Sequence, residues 1–147
     1  MNDDRITVNF TFSEFESSDT AELQGIDNTI HDGHIRWAIR LLVVNVLQPL
    51  RNAMGGPLHI NSGYRSQALN TALKGAANSQ HMKGEAADIA ANDPLLLAQT
   101  VKRNGLPFDQ MILYSTFVHI SHKAYGPQRG QVLYHSSFKN EYPKATV

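Results

Sequence analysis

The sequence has no cysteine among its 147 residues, which removes disulfides, thiolate nucleophiles and every cysteine-based zinc site at once. Any metal it binds must therefore be held by His, Asp or Glu. Net charge is absent too: 13 Lys plus Arg balance 13 Asp plus Glu, leaving no whole-molecule field to draw the protein onto nucleic acid or an anionic membrane. No apolar run approaches the roughly 20 residues of a membrane helix. The start, MNDDRITVNFTF, lacks the basic and apolar stretches of a secretory signal. The chain reads as soluble and cytoplasmic as synthesised, and a substrate in the cell wall would be met after release or delivery. A monomer is expected, with neither nucleic-acid nor membrane partners.

What is present is ordinary globular chemistry, 41% hydrophobic and 18% charged, in a length that suits one domain, residues 1–147, with 123–147 partly irregular. Ser13 and Glu16 fit a capping box, so a short helix is expected there. Residues 17–32 read as loop. Trp37, Leu41, Val44, Leu47 and Leu50 recur at helical spacing and predict a long helix over 33–54, stopped by Gly55-Gly56 and kinked at Pro49.

A short strand at 58–61, a second helix over 66–73 and a polar, glycine-flanked loop over 75–84 follow. Residues 86–91 read as a buried strand carrying one charge, Asp88. Asp93-Pro94 opens a helix and Asn104-Gly105 closes it. Strands 110–114 and 117–122 are joined by Ser115-Thr116 as a hairpin, and 131–134 is an edge strand. Helices first and short strands later predict an α+β fold, a small, mostly antiparallel sheet with helices packed on one side.

The informative block is Ser62-Gly63-Tyr64-Arg65-Ser66, then Leu69-Asn70, Gly75-Ala76, and the run from Ser79 through His81, Gly84 and Asp88 to Ile89. Upstream lies Leu47-Gln48-Pro49-Leu50-Arg51; downstream come Asp109-Gln110 and Phe117-Val118-His119-Ile120-Ser121. This ordered set resembles the M15 zinc peptidases, which include D-alanyl-D-alanine carboxypeptidases, dipeptidases and endolysins, and most of all their compact phage and bacterial subgroup. The resemblance implies a Hedgehog/DD-peptidase-like fold, one zinc ion, and a peptidoglycan stem peptide as substrate. It makes His81, Asp88 and His119 the metal ligands and sets Arg65 beside the substrate.

Elementary chemistry agrees with that ligand set. Catalytic zinc takes three N or O ligands from protein and keeps a fourth position open. A carboxylate within Ala86-Ala87-Asp88-Ile89-Ala90 is costly to bury unless it is paired or metal-bound. On strand 117–122 alternate residues share a face, so His119 and His122 cannot serve one site. Arg65 has two readings, as ion-pair partner of Asp88 or as the fork that reads a substrate carboxylate. Ser79 and Gln110 are candidates for orienting ligands or substrate amides. His31, Asp32 and His34 offer a weaker second cluster.

Hydrolysis also needs a general base. Many relatives carry Glu or His three residues before the last histidine ligand, where this chain has Thr116, which cannot act as a base at neutral pH. A turn at Ser115-Thr116 would put Gln110 and Tyr114 on the His119 face and Asp109 on the other, unless a bulge intervenes. Asp109 is the first candidate base, Glu85 the second and His122 the third. Without a base the chain would be a zinc-containing wall-binding module of little activity.

Overall fold

The computed structural model describes residues 4–139 and Val147. Its centre is a five-stranded sheet built from β3 (Ile60–Ser62), β4 (Ala86–Ala90), β5 (Gln110–Leu113), β6 (Phe117–Ser121) and β7 (Gln131–Tyr134), in the spatial order β3-β4-β6-β5-β7. Every pairing is antiparallel except β5 with β7. A two-stranded ribbon, β1 (Arg5–Thr7) with β2 (Phe10–Thr11), precedes the helices. The α+β architecture with a mostly antiparallel sheet is as the sequence implies.

Strand alternation divides the labour between the two faces of the sheet. Ala87, Ile89, Met111, Leu113, Val118 and Ile120 are completely buried on one face. They merge there with Phe12, Phe15, Leu42, Leu47, Leu50, Leu97 and Val101 in a single apolar core. Those residues come from helices α1 (Phe12–Glu16), α3 (Gly33–Leu42), α4 (Gln48–Met54) and α6 (Pro94–Arg103), and from the segment between α3 and α4. The opposite face carries Asp88, Ile112, Tyr114, Phe117 and His119, and none of these five belongs to the apolar core cluster formed by the described residues.

Several local expectations are corrected. The first helix is capped by Thr11 and Glu14, not by Ser13 and Glu16, because Asp4 captures the Ser13 amide and hydroxyl while Glu16 accepts from the Ile30 amide. Residues 17–32 contain a helix, α2 (Asp19–Gln24), capped by Ser18 and ended by left-handed Gly25. Six residues are too few to display a helical period. The long helix over 33–54 is not kinked in one α-helical run: a π-helical segment, Val43–Leu47, separates α3 from α4 just ahead of Pro49, whose missing N–H cannot continue an α-helical ladder.

Helix α5 (Gln67–Ala72) is capped by Ser66, and the polar loop before β4 contains a 3-10 turn, Gln80–Lys83. No helix among the described residues is long and apolar enough to cross a membrane.

Candidate metal centre

Three segments that meet on the open face of the sheet build the centre. Asp88 and His119 are directly opposed across β4 and β6, so one register contact brings carboxylate and imidazole together, with His119 Nδ1 3.0 Å from Asp88 Oδ1. His81 arrives from the 3-10 turn. That turn ends at Gly84 in a left-handed conformation (φ 74°), where a Cβ would lie 2.7 Å from the Ile35 carbonyl oxygen. Glycine thus lets the chain reverse tightly from His81 into β4. The ring of His81 lies edge-on to that of His119, centroids 5.1 Å apart.

The orientation of His81 is fixed from β3. Ser62 pairs with Asp88, and the next residue, Gly63, offers its carbonyl to His81 Nδ1 at 2.7 Å. A carbonyl can only accept, so Nδ1 carries the proton and the Nε2 lone pair faces Asp88 Oδ1 at 3.3 Å. Two acceptors this close require a cation between them, either a proton or a metal. Burial alone would push the Asp88 carboxyl up, but hydrogen bonds and charge from His119 and His81 outweigh it and hold the group well below the usual carboxylate range. Among the described residues, His81, Asp88 and His119 form a set whose ligand atoms all lie within 4.8 Å of one another. Two imidazole nitrogens and a carboxylate oxygen are a donor set that fits a divalent transition metal with a position left for water.

Asp88 uses its two oxygens differently. Oδ1 faces the histidines, whereas Oδ2 lies 3.5 Å from Arg65 Nη2. Arg65 also donates from Nε to the Ser62 hydroxyl at 3.1 Å, and its side chain is 15% exposed. The loop carrying it is held by buried Asn28, which donates to the Glu16 and Tyr64 carbonyls and accepts from the Ser66 amide. Ser79 caps the 3-10 turn by accepting from the His81 amide. Gln110 shares the His119 face, where its amide donates to the side chain of Gln131 at 2.7 Å.

The candidate bases are not brought to this centre. The β5–β6 register runs without a bulge, Ile112 opposite His119, and therefore turns Asp109 to the core face. There Asp109 is fully buried and engaged by the Arg129 guanidinium, with Nη2 2.7 Å from Oδ2, and by the side chain of Gln80. Burial would raise its carboxyl, but Arg129 brings it down to about 2.

Glu85 has the parity opposite to Asp88 and accepts from the Ala124 amide at 2.9 Å. His122 lies on the core side of β6, and burial lowers the pKa of its imidazole. Thr116 is exposed in the hairpin turn. His31 makes an exposed pair with Asp27 at 3.0 Å, and Asp32 caps α3 through the His34 amide.

Sequence reasoning had no signal for two contacts, the Gly63 carbonyl on His81 and the Arg129 fork on Asp109. The first uses backbone alone. The second joins residues 20 positions apart through a segment read as irregular.

The chain matches a family model described as peptidase M15 over residues 8–121, a span that contains all three donors. A zinc D-Ala-D-Ala carboxypeptidase of Streptomyces albus G is 35% identical over 112 residues, covering 71% of this chain and 41% of that protein. The chain thus spans less than half the length of this relative. From the ordered motifs and the matched span we conclude that the chain belongs to the peptidase M15 family.

Proposed function

We propose that the protein is a zinc metallopeptidase that hydrolyses the D-amino-acid-containing stem peptides of peptidoglycan, with His81, Asp88 and His119 as metal ligands. The single observation that carries this reading is the meeting of two imidazole nitrogens and a buried carboxylate on the side of the sheet away from the apolar core. The relative's name, a zinc D-Ala-D-Ala carboxypeptidase, supports both the metal and the substrate class. Zinc, when bound, supplies Lewis-acid chemistry, polarising a peptide carbonyl and making water acidic enough to react near neutral pH.

The chain's own residues do the rest. The Gly63 carbonyl fixes the His81 tautomer, so that its free nitrogen faces the centre. Arg65 holds a carboxylate of the substrate with the part of its fork that Asp88 leaves open, which selects peptides presenting a free acid near the scissile bond. Ser79 orients the His81 turn, and Gln110 lines the face on which the peptide lies.

A second reading is favoured by the state of the carboxylates. Asp109 and Glu85, the candidate bases, are both engaged elsewhere, which suits a metal-stabilised module that binds wall peptides and turns them over slowly. One experiment separates the two. Elemental analysis of the wild type and of His81→Ala is expected to give one zinc per chain and none respectively, and mass spectrometry of purified muropeptides is expected to show cleavage by the wild type alone. Zinc retained with every muropeptide uncut selects the binding module; a wild type without zinc overturns both readings.

A further inference from the structure

Tyr114 follows β5 and continues its ladder, its amide donating to the Phe117 carbonyl at 2.9 Å. With Ile112 opposite His119, alternation puts the Tyr114 ring on the metal face, one diagonal step from His119, a separation that a side chain as long as tyrosine can bridge. The ring is clamped. It stacks on Phe117 with centroids 4.2 Å apart at 10°, and on its other side against His135 at 4.4 Å and 25°. Half-buried and held between two rings, its phenol has no hydrogen-bond partner among the described residues.

From this placement we propose that Tyr114 is a catalytic residue of the peptidase reaction, its hydroxyl donating a hydrogen bond to the oxyanion that forms as the scissile carbonyl is attacked. This rests on the hydrolase reading above. In the reaction the water oxygen bonds to the carbonyl carbon, the C–N bond breaks, and the leaving amine takes the proton that water gives up. Tyr114 keeps its own proton throughout.

Three observations favour a donor role. Burial pushes the phenol up and the Asp88 charge adds to it, with Arg65 opposing, so the group stays protonated and donates across the neutral range. The influence of both Asp88 and Arg65 sets the phenol within electrostatic reach of the centre. A ring fixed on both faces loses no rotamer freedom when the oxyanion appears, which is the preorganisation that makes such donors effective. Phenylalanine at this position would keep both stacks and remove only the hydroxyl.

The test compares zinc-loaded wild type with Tyr114→Phe in the full chain. Kinetics on a D-Ala-D-Ala-terminated peptide are expected to show kcat reduced about 100-fold with KM nearly constant, as for loss of one oxyanion donor. Calorimetric titration is expected to show a phosphinate analogue of that peptide, whose anionic P–O mimics the oxyanion, binding at least about tenfold more weakly. Zinc content and melting temperature are expected to stay at wild-type values. A variant within about twofold of wild type in phosphinate affinity overturns the proposal, whatever its activity. A wild type that cleaves nothing overturns the hydrolase reading and the catalytic role of Tyr114 with it, an outcome distinct from an active wild type whose phosphinate affinity the substitution leaves unchanged, which overturns the Tyr114 role alone. Phe117→Leu, which keeps the hydroxyl and removes one face of the clamp, is expected to lose less than Tyr114→Phe in both readouts; an equal or greater loss would assign the effect to ring packing and overturn the donor role.

Discussion

Replacing Asp88 with asparagine separates the metal from the scaffold, because the amide keeps the shape of the side chain and removes its charge. In the wild type, zinc binding only to the folded state adds stability by mass action, about 4 kcal/mol at a free concentration a thousandfold above Kd. For a domain of this size each kcal/mol moves the melting temperature by about 2–4 °C, so zinc is expected to raise it by roughly 8–16 °C over chelator-treated protein. Asparagine is a poor zinc ligand, and the shift should fall to a few degrees or vanish.

A second, smaller effect should appear without metal. Arg65, whose side chain is 15% exposed, loses its counter-ion 3.5 Å away. Breaking a buried pair costs about 3–5 kcal/mol, and asparagine's remaining hydrogen bonds with the histidines should hold the loss near 2 kcal/mol. The assay is a set of four calorimetric melts, wild type and Asp88→Asn, each with chelator and with excess zinc. A full zinc shift in the asparagine variant, or none in the wild type, would refute the assignment of Asp88 as the anionic ligand.

Gly63→Ala should destabilise the fold by about 2–3 kcal/mol in urea denaturation, since its Cβ would sit 2.7 Å from Phe15 Cδ1 and 2.8 Å from Phe15 Cα. Its carbonyl orients His81, so zinc affinity should fall as well, and an alanine variant with unchanged affinity would remove that carbonyl from the site's construction. Asp109 gives a pH signature. Its folded pKa of about 2 lies below the ordinary 3.8, so the stability it confers is fully present above pH 4 and is lost as pH falls through 2. Arg129 is half exposed, which limits that contribution to on the order of 1 kcal/mol. Acid titration of the stability of Asp109→Asn should show a curve flatter than wild type between pH 4 and 2, and parallel curves would contradict the ion pair.

Much of the fold was legible because it rests on short-range rules. Asp93-Pro94 and Asn104-Gly105 bracket α6 as capping chemistry dictates, and the edge strand over 131–134 was readable from turn formers on both sides. The hairpin register followed from the two-residue spacing at Ser115-Thr116, and with it the pairing of Ile112 with His119. The misreadings are those in which two local solutions compete and a distant residue chooses. Thr11 and Ser13 both head a capping-box pattern, and Asp4 decides between them by binding Ser13. The π-helical turn before Pro49 depends on how neighbouring turns pack around a missing donor, which hydrophobic spacing does not encode.

The same parity argument explains why the site's acids behave so differently. Asp88 and Asp109 are both buried aspartates at the sheet, yet one faces the open side with imidazoles and the other the apolar core. A carboxylate on the core side survives only with a dedicated cation, and Arg129 supplies it; the Arg129 guanidinium and amide together with the Gln80 side chain direct four donors at the two Asp109 oxygens, which engages them away from the metal face. A carboxylate on the open side can instead share its charge between Arg65 and whatever lies between Oδ1 and the two histidines. Strand alternation thus sorts identical side chains into a structural ion pair and a metal-ready donor, and it places Tyr114, not either candidate acid, on the face that carries the centre.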